Sequence, residues 1–191
     1  MNFYDKPENV KKYIRMCEDY DGNNIYQSLS KHLPGKSTLL ELGSGAGFDI
    51  EYLKKYYSVT GSDLSDEFLK ICKNKYPEIH FLKLDALRLE VDKIFNCIYS
   101  NKVLHHLTEK ELTQSLQQQV KTLTPNGLVA HSFWLGEENQ EMDGLLFTYY
   151  NKEHLLSIIS ESFEILSALS YKEFEEDDSL FLIARLKESN A

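Results

Sequence analysis

Apolar and polar residues recur along this chain with two periods, and the switches between them mark out strands and helices. Short apolar runs bounded by turn residues predict strands at Leu39–Leu42, Tyr57–Asp63, Ile79–Leu84, Phe95–Ser100 and Leu128–Phe133. Between them, apolar positions three and four apart predict helices. One runs from about Gly47 to Tyr56, and one carries Phe68, Leu69, Cys72 and Tyr76 behind a Ser65 cap. A third carries Leu112, Leu116, Val120 and Leu123 behind a Thr108/Glu111 capping box. Residues 1–36 hold two more, Glu8–Met16 and a helix capped by Asn24 that bears Ile25, Leu29 and Leu33. From Trp134 to Asn151 the pattern is lost and a loop is expected. Asn151 then caps a helix through Leu155, Leu156 and Ile159. The chain closes with strands at Phe163–Phe174 and Leu180–Leu186 around the acidic turn Glu175–Ser179, short enough to require an antiparallel hairpin.

Strands alternating with helices and ending in a hairpin predict one α/β domain with a mostly parallel sheet, spanning 1–191. Right-handed crossovers bring the C-terminal ends of the parallel strands to one edge, where ligands bind in open sheets of this kind. Glu41, the glycine-rich loop after it, Asp63, Asp85 and Asn101 all fall at that edge. Residues 1–36 contribute no strand, so they are expected to lie over it as a helical lid on a core of 37–191.

Composition narrows the range of partners. Lys and Arg total 21 against 30 Asp and Glu, a net charge of −9, with no dense basic tract. This disfavours nucleic acid as a partner, because its affinity rests on Lys and Arg neutralising phosphates. Cys17, Cys72 and Cys97 have neither metal-ligand spacing nor a disulfide framework, so no metal is expected. There is no signal-peptide core and no apolar run of membrane-spanning length, which predicts a soluble cytoplasmic protein, monomer or homodimer, without a membrane partner.

The chemistry concentrates in Glu41-Leu42-Gly43-Ser44-Gly45-Ala46-Gly47-Phe48, a strand running through alternating glycines towards a helix. Such a turn brings bare backbone and helix N–H groups against a nucleotide-like ligand. A dinucleotide fingerprint needs a glycine where Phe48 stands. The Glu41-x-Gly43-x-Gly45-x-Gly47 run, with Asp63 twenty positions after Gly43 and Asp85 ending the third strand, resembles the class I S-adenosylmethionine-dependent methyltransferases. The resemblance implies a Rossmann-like sheet of seven strands in the order 3-2-1-4-5-7-6, with an antiparallel C-terminal hairpin and helices on both faces. It also implies S-adenosyl-L-methionine as cofactor. Glu41 would lie near its methionine end, with Gly43, Ser44 and Gly45 along its backbone and Asp63 on the ribose hydroxyls. Leu64 would pack on the adenine, Asp85 and Ala86 would contact its edge, and Asn101 would meet the amino-acid portion. The loop has no lysine or arginine, which suits a ligand without pyrophosphate, and an acidic rim suits a sulfonium and an ammonium.

Methyl transfer from a sulfonium is an in-line displacement, and alignment in a dry site is the main thing an enzyme adds. His105 and His106, just past the fourth strand, are the candidate general bases for an acceptor that must lose a proton. The Asn101-Lys102-Val103-Leu104-His105-His106-Leu107 stretch looks like that of small-molecule methyltransferases and departs from the Asn/Asp-Pro-Pro-aromatic motif of amide and amine methylators. Tyr4, Tyr13, Tyr20, Trp134, Tyr149 and Tyr150 are candidates to line the pocket of a small-molecule substrate. The alternatives are a methyltransferase-like binding or regulatory protein without transfer activity, and an NAD-dependent Rossmann oxidoreductase.

Overall fold

Proline, glycine and capping residues set the ends of most elements in the computed structural model, which describes residues 3–188. Helix α1 (Pro7–Met16) starts on proline, whose fixed φ suits a first helical turn. Helix α2 (Asn23–Ser30) begins a residue before the expected cap. Gly22 takes the cap position instead of Asn24, and the Asn23 amide donates to Asp21 Oδ1 at 2.9 Å. Strand β1 (Thr38–Leu42) leads through the glycine loop to α3 (Ile50–Tyr56). That helix starts three residues later than its expected Gly47, because residues 45–49 complete turns instead. Then follow β2 (Ser58–Asp63), α4 (Asp66–Lys75), β3 (His80–Lys83) and β4 (Phe95–Asn101). Ser65 caps α4 as expected, its hydroxyl accepting from the Phe68 amide at 3.3 Å.

Helix α5 (Glu109–Thr122) carries the full capping box: Thr108 Oγ1 accepts from the Glu111 amide and Glu111 Oε2 from the Thr108 amide. Strand β5 (Leu123–Trp134) is longer than expected. Leu123 pairs with Phe95 and Leu128 with Cys97, so the Thr124–Gly127 turn is looped out inside the strand. The expected loop after it contains a small antiparallel hairpin, β6 (Gln140–Met142) and β7 (Leu145–Phe147). Asp143 and Gly144, both at positive φ, make its turn, and Asp-Gly is the pair that such a turn prefers. Helix α6 (Lys152–Ser160), capped by Asn151, and strands β8 (Phe163–Tyr171) and β9 (Ser179–Leu186) complete the chain.

Seven strands form one sheet in the order β3-β2-β1-β4-β5-β9-β8. Numbered along the whole chain, this differs from the expected 3-2-1-4-5-7-6 only by the two short strands of the inserted hairpin, which form a sheet of their own. The first five strands pair in parallel, and β9 runs antiparallel to both β5 and β8. Side chains alternate across the sheet. Leu40, Leu42, Ile98, Val129 and Leu182 join a core that includes Leu112, Leu116, Leu155 and Ile159 of α5 and α6. Leu39, Cys97, Tyr99, Ala130 and Ile183 join the opposite core with α2, α3 and α4. Glu41 shares the face of Leu39, so the sheet's register alone turns its carboxylate toward the α3 side.

The N-terminal segment packs over the C-terminal edge of the sheet. Val10 of α1 is buried with Ala46 of the glycine loop and Phe68 of α4, and Tyr4 and Tyr13 pack against the same group. The Ser65 hydroxyl donates to the Tyr4 carbonyl at 2.6 Å, fixing the start of the segment.

Thr108→Ala removes an amide partner at the α5 N-terminus and the anchor of the box. It is expected to cost about 1 kcal/mol, or roughly 2–4 °C in melting temperature. Thermal unfolding followed by circular dichroism checks this.

Candidate active site

The glycine loop is held open by backbone conformations that side chains resist. Gly43 has φ 67°, and a Cβ there would lie 2.5 Å from Val103 Cγ2; Gly45 has φ 52° and lies under the Tyr13 ring. Ser44 ties the loop to both flanking strands. Its amide donates to the Ser62 carbonyl at 2.7 Å, and its hydroxyl donates to Glu41 Oε2 while accepting from the Ser62 amide. Asp63 closes the other side, Oδ2 accepting from the Gly45 amide at 2.9 Å and Oδ1 from the Ser65 amide at 2.8 Å.

A third carboxylate, Asp49, joins these two from the first residue before α3. Tyr26 and Tyr20 donate hydroxyls to its Oδ1 at 2.6 and 3.0 Å, and Asn101 Nδ2 donates to Oδ2 at 3.1 Å. Asn101 also donates to the Tyr20 hydroxyl at 2.6 Å and accepts from Ser132 Oγ. Asp49 was missed in the sequence because it falls inside the first turn of the helix expected from Gly47, where an acid reads as an ordinary helix-start residue. Its carboxylate makes no cap bond, since it is turned to tyrosines from α2 and the preceding loop.

Burial governs the electrostatics of these acids. Desolvation, with Asp49 close by, pushes the Glu41 carboxyl up to about 8. Desolvation also raises Asp49 and Asp63, against the pull of their hydrogen bonds. Among the described residues, no lysine or arginine is ion-paired to any of the three. A site that buries carboxylates without a cation is matched to a cationic ligand.

The adenine-side residues lie further along the rim. Leu64 is exposed, Asp85 Oδ1 accepts from the Leu87 amide at 2.9 Å, and the Ala86 carbonyl accepts from Ser115 Oγ at 2.6 Å. His105 and His106 occupy a 3₁₀ turn (Leu104–His106) under Phe147 of β7. His105 is buried with neither ring nitrogen hydrogen-bonded, and burial holds its pKa well below the usual histidine range. His106 is also lowered by burial, but its Nδ1 lies 2.7 Å from the Leu146 carbonyl. A carbonyl only accepts, so Nδ1 carries the proton and Nε2 is the basic nitrogen.

The aromatic candidates separate in space. Tyr13 covers Gly45, and Tyr20 sits on Asp49 and Asn101. Trp134 stacks on Phe174 at 5.6 Å and receives the Lys102 ammonium 3.4 Å above its ring. Tyr149 packs over Gly136, whereas Tyr150 is buried in the core beside Phe133. Lys102 was also missed. It holds φ 54°, donates to Ser179 Oγ and the Phe133 carbonyl, and lies 3.3 Å from Glu173, while burial brings its pKa down to about 8.

A family profile for a methyltransferase domain matches residues 39–127, the span from β1 through the parallel half of the sheet. Over that span the chain is similar to methyltransferase domains. The Burkholderia thailandensis 1,6-didemethyltoxoflavin-N1-methyltransferase, solved with 1,6-didemethyltoxoflavin and S-adenosylhomocysteine, shares this fold. Its TM-score is 0.81 at 17% identity, over 95% of this chain and 85% of that one. A methyltransferase of Alkaliphilus oremlandii is 24% identical over 90% of this chain and 77% of its own length. The Arabidopsis thaliana tRNA (carboxymethyluridine(34)-5-O)-methyltransferase is 27% identical over 69% of this chain, which spans only 35% of that relative. The glycine loop and the buried acids without cationic partners fit a phosphate-free, doubly cationic nucleoside such as S-adenosylmethionine. Among the described residues no helix is long and apolar enough to cross a membrane, and no group of three or more His, Cys, Asp and Glu is placed to hold a metal.

The raised carboxyl of Glu41 makes a pH prediction. A folded-state pKa near 8 against an unfolded value near 4.5 means the folded protein holds a proton that the unfolded chain has released. Stability is therefore expected to fall as pH rises from about 4.5 to about 8 and then to level off. Glu41→Gln should flatten that slope in denaturant melts at a series of pH values.

Proposed function

We propose that this protein transfers a methyl group from S-adenosylmethionine to a small-molecule acceptor by in-line displacement. The observation that carries the reading is the backbone cradle of Gly43 and Gly45 set among buried carboxylates that lack cationic partners. When bound, the cofactor supplies an activated methyl on a sulfonium leaving group. In this reading Asp63 takes the ribose hydroxyls, Ser44 and the glycines line the nucleoside, and Asp85, Leu64 and Ala86 hold the adenine. Asn101 positions the amino-acid end, with Glu41 behind it. Residues 3–36 act as a lid that excludes water, and Tyr13 is its inner surface. The acceptor lies between that lid and the 134–150 arm, against Trp134 and Tyr149. His106, with its tautomer set by the Leu146 carbonyl, is the general base where the acceptor must lose a proton, and His105 supports its ring.

The acidic balance and the lid of tightly packed tyrosines support a small acceptor over a polynucleotide. A tRNA nucleoside is the second reading, favoured by the Arabidopsis relative. Release of S-adenosylhomocysteine from a metabolite pool, set against release from bulk tRNA, separates the two. The first is expected, and turnover on tRNA alone overturns the small-molecule reading.

Ligand at about 100-fold over Kd should stabilise the protein by roughly 2.7 kcal/mol, about 5–10 °C in melting temperature. A shift with S-adenosylhomocysteine is expected and none with NAD. Asp63→Ala should abolish most of the shift. In the acceptor assay His106→Ala should lower kcat by about 100-fold or more if a proton is removed in the reaction, with cofactor affinity kept. Full turnover of that variant removes the base from the mechanism.

A further inference from the structure

His131 is fully buried in β5, away from the glycine loop, and both of its ring nitrogens are in use. Nδ1 lies 2.8 Å from Ser100 Oγ of β4, and Nε2 lies 2.8 Å from Gln119 Oε1 of α5. Gln119 Nε2 donates to Ser115 Oγ at 3.2 Å, and the Ser115 hydroxyl donates to the Ala86 carbonyl at 2.6 Å. All four side chains are completely buried, on the sheet face that otherwise holds Ile98, Leu116 and Val129. A polar chain in an apolar core is tolerated where its members are bonded, and it then holds them in one arrangement.

The direction of the chain follows from its last member. A carbonyl only accepts, so the single Ser115 proton goes to Ala86 and Ser115 Oγ accepts from the Gln119 amide. The Gln119 oxygen then faces His131, so Nε2 carries the imidazole proton and Nδ1 accepts from the Ser100 hydroxyl. Two other hydroxyls of α5 behave differently. Thr113 and Thr122 donate back to the carbonyls of Glu109 and Gln118, four residues earlier, as helical hydroxyls commonly do. Ser115 is turned instead to a loop 29 positions away. A trans peptide points its C=O and N–H to opposite sides. With the Ala86 carbonyl held by Ser115, the Leu87 amide of the same peptide donates to Asp85 Oδ1 at 2.9 Å. One peptide thus joins the buried chain to the carboxylate that follows β3.

We infer that Ser115 is a positioning residue for base recognition: through the Ala86–Leu87 peptide it orients the Asp85 carboxylate to select a purine with an amino group at position 6, and Gln119 and His131 aim its hydroxyl. The inference rests on the S-adenosylmethionine reading, in which Asp85 meets the adenine, and adds the residues that aim it. An ionised carboxylate accepts from an exocyclic amino group and repels the oxygen of a 6-oxo purine, so its orientation decides between the two.

The test titrates S-adenosylhomocysteine and its 6-oxo counterpart, S-inosylhomocysteine, by calorimetry. The unmodified protein is expected to prefer the adenine probe by about 30- to 100-fold, the size of a charge-assisted hydrogen bond with repulsion in its place. Ser115→Ala should reduce that preference to within about threefold while affinity for the inosine probe stays near the unmodified value. Gln119→Met should lower it to about tenfold, and should change nothing further in a Ser115→Ala background, because it acts through that hydroxyl. Thr108→Ala weakens the same helix without touching the chain and should keep the full preference. In nitrogen NMR of the labelled imidazoles, His131 should be a neutral ring with its proton on Nε2. A merely structural Ser115 would weaken both probes together and leave their ratio unchanged. That result, an undiminished preference in Gln119→Met, or a proton on His131 Nδ1 overturns the inference. If the unmodified protein binds neither probe, the cofactor reading itself fails. If it binds both equally, that reading stands and the role of Ser115 is overturned.

Discussion

The hydrogen bond from the Gly45 amide to the Asp63 carboxylate joins the two features on which the site depends. It links a backbone turn that only glycine adopts easily with an acid that the sheet places one strand away. Parallel pairing of β1 with β2 sets Glu41 against Gly61 and Leu42 against Ser62, so the loop leaving β1 and the acid ending β2 emerge side by side. The missing Cβ at Gly61 leaves room for Phe81 and Ser44, which pack where a side chain would stand. Geometry of this kind costs stability: the carboxylates are desolvated, and among the described residues no lysine or arginine is ion-paired to them. The cores on the two faces of the sheet offset that cost.

The walls of the site come from segments remote in sequence. Tyrosines 4, 13, 20 and 26 come from the N-terminal region, and Trp134 and Phe147 from the arm after β5. Lys102 carries a partly desolvated ammonium over Trp134 and holds Glu173 of the β8–β9 turn at 3.3 Å. One buried cation thereby fastens three elements at this end of the rim, while among the described residues no lysine or arginine is ion-paired to the buried acids around the glycine loop. The site is therefore electrically divided. On the outer surface, Lys12 of α1 meets Asp143 of the β6–β7 turn at 3.2 Å. Both are well exposed, so the pair contributes little energy and mainly marks where the two covers meet.

The two histidines show how burial decides between similar residues. They are adjacent in sequence, their rings lie 4.0 Å apart, and both contact Phe147. One has a carbonyl on Nδ1, which sets a single tautomer; the other has no hydrogen-bond partner on either nitrogen. Proton transfer requires an oriented lone pair at a nitrogen that tolerates charge, and the carbonyl helps only His106 to meet it.

Local chemistry was enough to determine the order of elements, the glycine turn, the caps at Ser65, Thr108 and Asn151, and the acids at the strand ends. Each is a short-range matter of hydrophobic period, backbone freedom or a side chain three residues from its partner. The parallel sheet followed from strand–helix alternation and the handedness of crossovers. The β6–β7 hairpin has a turn signal in Asp143-Gly144, but its strands are three residues long and too short to show an alternation. Asp49, Lys102 and the difference between His105 and His106 were decided by the tertiary structure alone. The partners that give them their character, Tyr20, Tyr26, Asn101, Glu173 and Leu146, lie 23 to 71 positions away. Burial and charge pairing across such separations exist only once the sheet has formed and the N-terminal segment has closed over its edge.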